Sequence, residues 1–73
     1  MRNRKLYKVY ETYTADYTGI TEWAQRDDGR WFYRQRYRDP RYGWKWTRWT
    51  GTDIPPRDPT FKREMAVRLP KAA

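Results

Sequence analysis

From Leu6 the chain alternates, with Tyr7, Val9, Glu11 and Tyr13 on one side of an extended backbone and Leu6, Lys8, Tyr10 and Thr12 on the other. That period of two, in residues that suit a pleated surface, predicts a strand over residues 6–13. Residues 14–19 read as a turn or short loop. A second strand is predicted over 20–26, ending at Asp27, Asp28 and Gly29, a strong hairpin signal. A third covers 30–38 and runs into a turn of Asp39, Pro40, Arg41, Tyr42 and Gly43, where Pro40 fits the first corner and Gly43 tolerates positive φ. A fourth strand over 44–50 stops at Gly51, and the three prolines of 52–59 make an irregular crossover that cannot pair inside a sheet. Asp58 then reads as a helix N-cap and Pro59 as the first helical position. Phe61, Met65 and Leu69 recur every four residues, which predicts a short helix to Leu69, stopped by Pro70; Val67 lies off that stripe, so an extended tail is the other reading. The expected fold is α+β, a small antiparallel β-meander of three to four strands with a short C-terminal helix. Residues 1–5 are expected to form a flexible basic arm, 6–69 a single small β-rich domain and 70–73 a disordered tail.

Loop length sets register, and register sets which face each side chain joins. A three-residue loop of Asp27, Asp28 and Gly29, with Gly29 left-handed, sets Trp23 opposite Tyr33 and Glu22 opposite Arg34, whereas a two-residue loop pairs Trp23 with Arg34. The former is the better register. A loop of Asp39 to Tyr42 places Tyr37 opposite Trp44, Gln35 opposite Trp46 and Phe32 opposite Trp49. One face then carries Trp23, Trp31, Tyr33, Tyr37, Trp44 and Trp46, and is expected to be the core, covered by the C-terminal helix or the first strand. The other carries Arg34, Arg36 and Lys45, with Arg30 and Arg38 near its ends and a satellite of Ala24, Phe32 and Trp49.

Composition sharpens this two-sided picture. Of 73 residues, 37% are hydrophobic and 19% aromatic, so a few rings must supply most of the buried apolar area in a chain too short for a thick core. Lys and Arg number 17 against 9 Asp and Glu, a net charge of +8 that favours encounter with anions and acidic surfaces. There is no Cys and no His, which removes disulfides, thiolate metal sites, the usual nucleophile and the usual general base. An enzyme is therefore not expected, and no cofactor or metal is either. Asp27 and Asp28 read as turn formers, because two adjacent carboxylates without further spaced oxygens do not cage a metal. The basic start is followed by polar and aromatic residues with no apolar stretch of signal-peptide or membrane-spanning kind, so the expected location is cytoplasmic.

The expected function is binding. Arg34, Arg36 and Lys45 lie side by side with only Glu22 to pair them, and Arg suits bidentate contact with phosphate or carboxylate. Arg30, Arg38 and Arg41 extend the cationic surface, Arg2, Arg4 and Lys5 add the arm, and Tyr42 and Trp49 are the rings expected to touch a partner, with Trp44 the alternative to Trp49. The surface is available only where the chain's own carboxylates do not neutralise these arginines. Two partner classes fit. Interleaved basic and aromatic strand residues suit single-stranded nucleic acid, with rings stacking on bases and Arg holding phosphates, although no recognised RNA- or DNA-binding motif occurs. A cationic surface also suits an acidic patch on a large protein assembly that handles nucleic acid. A virion or scaffold component is a further class.

In size, basic start (Arg2, Asn3, Arg4, Lys5) and the hairpin spanning Trp31 to Trp49, the chain resembles the small RNA-polymerase-binding transcription inhibitors and antiterminators made by siphoviruses of Xanthomonas. The resemblance implies a monomer in the host bacterial cytoplasm that binds bacterial RNA polymerase near the RNA exit path, blocks promoter use and discourages terminator hairpins. Nascent RNA or DNA is a further contact it allows.

Overall fold

The computed structural model describes residues 5–14 and 19–70. Among these, six strands form one antiparallel sheet: β1 (Leu6–Tyr13), β2 (Ile20–Gln25), β3 (Trp31–Asp39), β4 (Gly43–Trp46), β5 (Thr50–Thr52) and β6 (Thr60–Ala66). The order is β4-β3-β2-β1-β6, with β5 on the same edge of β3 as β4. No helix occurs among the described residues, and none is therefore long and apolar enough to cross a membrane. The α+β expectation is corrected to all-β, with six strands in place of three to four.

The segment expected to be helical is β6, which pairs with the outer edge of β1. Two features hid it. The pairing shifts between Val9 and Tyr10, so Lys62 is an extra residue in the ladder; Lys62 and Arg63 both turn toward Glu22, which breaks the alternation. The four-residue stripe was thereby left as the clearest pattern, but a helix of about ten residues is marginal by itself, whereas the strand satisfies the exposed ladder of β1. Asp58 sits at φ 50 before the strand and is not a helix cap.

The first hairpin follows its turn chemistry. Arg26 and Arg30 close a loop of Asp27, Asp28 and Gly29, with Gly29 at φ 93, and Trp23 pairs with Tyr33 and Glu22 with Arg34, as the three-residue loop requires. The second hairpin departs by one residue. Asp39 pairs with Gly43, Arg38 with Trp44, Tyr37 with Lys45 and Arg36 with Trp46. Asp39 accepts the N–H groups of Arg41 (2.8 Å) and Tyr42 (3.1 Å), so it stays in the ladder, and the turn is Pro40, Arg41 and Tyr42. This slip moves Trp44 and Trp46 from the expected ring face to the arginine face, and Lys45 the other way.

The core is also on the opposite side from the expected one. Val9, Ala24 and Phe32 form a buried row across β1, β2 and β3, with Gly51 of β5 opposite Phe32. A Cβ at Gly51 would stand 2.8 Å from Arg30 Nε and 3.2 Å from Phe32, so glycine lets β5 close over the ring without displacing either side chain. Arg26 lies 5.0 Å over the Phe32 ring and donates to the Pro70 carbonyl, drawing the end of the chain toward this face. A flat sheet would hold β4 and β6 about 19 Å apart, four spacings of roughly 4.8 Å. Yet Lys62 Nζ of β6 lies 5.9 Å from the Trp46 ring of β4, because the sheet curls into a half-barrel around that face. The bulge at Lys62 contributes to this bend.

Candidate anion-binding hairpin

Inside the curl, directly beside the apolar row, runs a charged one: Glu11, Glu22 and Arg34 are cross-strand partners. Glu22 is 0% exposed. It accepts from Arg34 (Nε at 2.8 Å) and from Lys62 Nζ (2.9 Å), with Arg63 at 3.6 Å, while Lys62 also reaches Glu11 at 3.2 Å. Two facing carboxylates would repel, but Lys62 bridges them. Burial pushes the Glu22 carboxyl up, and the hydrogen bonds from Lys62 and Arg34 outweigh it, so the group titrates below the ordinary carboxylate range. Arg34 is further enclosed by the rings of Trp46 (4.6 Å) and Trp49 (4.8 Å). Trp49 reaches the same face as Trp46 because residues 47–49 step out of the ladder; Thr47 alone continues it, donating its N–H to Gln35 O and accepting the Gln35 N–H on Oγ1.

Arg34 is therefore withdrawn from the docking surface: its charge is matched within the fold and its guanidinium is capped by indoles. Lys5 is paired too, with Asp27, and lies over the Tyr7 ring; Arg2 and Arg4 fall outside the described residues. Arg30 is exposed at the other end of β3 and packs against Gly51.

The remaining sequence-predicted residues converge. Among the described residues, β3 pairs with no strand but β4 beyond Gln35 and Thr21, so Arg36–Asp39 and Gly43–Trp46 form a two-stranded ribbon that runs on from the main sheet. It carries Arg36, Arg38, Arg41 and Lys45, and Arg48 follows it. Among the described residues none of these five cations has a carboxylate within 4.0 Å, and the ribbon's own Asp39 is occupied with turn N–H groups. Tyr42 is 67% exposed, Trp44 55% and Tyr37 44%. Arg36 stacks at 4.4 Å on Trp44 and Lys45 at 4.4 Å on Tyr42, so the rings hold the cations outward without neutralising them. Tyr37, Trp44 and Arg48 are the site residues that sequence reasoning missed. The first was assigned to the core and the second left as an alternative, because the one-residue slip changed the neighbours; Arg48 carried the plain signal of a cation beside a turn.

The outer side of the sheet bears a second feature. Tyr10, Trp23, Trp31 and Tyr33 are half-buried there and Phe61 is 52% exposed. Tyr10 meets Trp31 and Phe61 edge-on at 5.8 Å each, and Trp23 leans on Tyr33 at 5.5 Å. Among the described residues the expected cover by a helix or the first strand is not found: β1 and β6 extend this sheet and do not cross it. Compared with protein-family models, curated proteins and solved structures, the chain matches none of them.

Proposed function

We propose that this chain is a phage-type transcription regulator that binds host bacterial RNA polymerase and alters initiation and termination, with the β3–β4 ribbon as its docking element. The observation that carries the reading is the set of five cations on and beside the ribbon, without a carboxylate partner among the described residues and interleaved with three exposed rings. Holding such charges together costs stability unless an anionic surface receives them. Arg and aromatic residues are also the types enriched in protein interfaces. The resemblance to siphovirus polymerase inhibitors supplies the partner, an assembly whose RNA exit path joins protein and nucleic acid. A narrow ribbon suits a groove or channel better than a flat surface.

The test is capture from nuclease-treated bacterial lysate by the tagged chain, wild type against Arg38→Glu with Arg41→Glu. The expected result is polymerase subunits retained by the wild type and lost, on the order of tenfold or more, by the double variant. Its thermal melting should be unchanged, since both side chains are exposed and neither is ion-paired. Capture that vanishes on nuclease treatment would point to direct nucleic-acid binding in its place. Capture that survives the double reversal would remove the ribbon from the interface.

A further inference from the structure

We infer that the cleft between the irregular step after β4 and the segment after β6 binds a nucleoside 5′-phosphate, its base against Trp49 and its phosphate held by Arg48 and Arg68. The cleft measures about 780 Å³ and is lined by Arg48, Trp49, Arg68, Leu69 and Pro70. That volume falls within the roughly 300–1,000 Å³ of small-ligand sites. Its two walls come from opposite edges of the sheet, and the curl brings them together. On one side, Trp49 turns to the inner face, with Arg34 at 4.8 Å from its ring. On the other, Arg26 stacks at 5.0 Å on Phe32 and donates to the Pro70 carbonyl at 2.6 Å, which pins the end of the segment at that same face.

Charge distinguishes this cleft from its neighbour. Among the described residues neither Arg48 nor Arg68 has a carboxylate within 4.0 Å, and neither guanidinium has a hydrogen-bond partner. On the other side of residues 68–70, a hollow of about 410 Å³ adds Lys5 and Arg26 to Arg68, but Asp27 and Asp28 already match those two. Two uncompensated guanidinium groups therefore meet only in the larger cleft. Together they carry the charge of one phosphate dianion, and each presents a planar fork of donors to its oxygens. An indole is a surface on which any base stacks, and Leu69 and Pro70 complete an apolar wall beside it. No side chain of the lining accepts a hydrogen bond. A base can stack with its edge in water, whereas an acidic peptide would turn backbone N–H groups against a wall that cannot receive them. The lining thus favours a nucleotide over a peptide.

This site does not depend on the identity of the docked protein, and its test needs only the purified full chain. Adenosine 5′-monophosphate is titrated into it and followed by NMR at about 0.15 M salt, where attraction beyond roughly 8 Å is screened. Adenosine, inorganic phosphate and a short acidic peptide are titrated in parallel. The expected result is that the nucleotide binds at least tenfold tighter than any of the three and shifts the Trp49 indole N–H and the Arg68 amide most. Arg68 is exposed, unpaired and outside the ribbon's five cations, so Arg68→Ser should weaken the nucleotide about tenfold while thermal melting and polymerase capture stay unchanged. Inorganic phosphate that binds as tightly as the nucleotide would overturn the proposal, leaving charge attraction alone. So would full affinity in Arg68→Ser, shifts centred away from Trp49, or no saturation by the nucleotide at millimolar concentration. Tightest binding by the acidic peptide, lost in Arg68→Ser, would make the cleft a protein contact in its place.

Discussion

Glu22→Gln is the substitution that most directly probes how this fold tolerates its charge. The carboxylate is wholly buried and holds Arg34 on one oxygen and Lys62 on the other. Glutamine keeps the shape and one acceptor, but it removes the charge and turns an NH2 group toward one of the two cations. Breaking a buried pair from one side costs about 3–5 kcal/mol, because the surviving charge stays in a poor solvent. The lower end applies here: the Arg34 and Lys62 side chains retain 17% and 28% exposure, and Lys62 keeps Glu11 at 3.2 Å. A loss of about 3 kcal/mol is more than half of the roughly 5 kcal/mol expected for a domain this small. Urea unfolding followed by tryptophan fluorescence should show a midpoint lowered by about 2–3 M at unchanged slope, for a slope near 1 kcal/mol/M. A shift under about 0.5 M would mean that the buried triad is not what holds β6 to β2 and β3, and the account of the curl would fail with it.

Two further outcomes follow from the same coordinates. Glu22 and Asp28 both titrate below their ordinary values, Asp28 at about 2 through the Arg26 guanidinium and the Arg30 N–H. Groups with depressed folded pKa values contribute stability above the ordinary carboxylate range of about 4, and that contribution disappears as pH falls through the folded values. Melting temperature should therefore be flat from neutral pH to about 5 and drop steeply below about 4; a flat profile down to pH 2 would contradict the pairing. Gly29→Ala should cost about 1–2 kcal/mol in the same urea assay, because φ 93 is unfavourable for any side chain while nothing stands within 4 Å of the added Cβ. A neutral result would show that the loop relaxes to another turn.

The clustering of the candidate docking residues was legible where local chemistry alone decides it. Arg36, Arg38, Arg41, Tyr42 and Lys45 were expected to contact a partner and lie together on the ribbon, since the turn from Asp39 to Gly43 forces the chain to double back there. Arg34 was not legible as an internal residue. Its place between Glu22 and two indoles needs Lys62, 40 residues beyond Glu22 in the chain, and Trp49 delivered by an irregular step at residues 47–49.

Alternation and turn residues by themselves determined strand β1 to the residue, the course of β2 and β3, and the register of the first hairpin, because of the two loop lengths only the three-residue one sets Trp23 opposite Tyr33 and Glu22 opposite Arg34. Tertiary structure alone decided the register of the second hairpin, the strand at 60–66, and which face became the core. The first two turn on a difference of one residue, Asp39 kept in the ladder and Lys62 bulged out of it, and the third on which face the curl encloses. A single-residue slip sends every following side chain to the other face, and its energy is settled by partners distant in the chain, which no window of sequence contains.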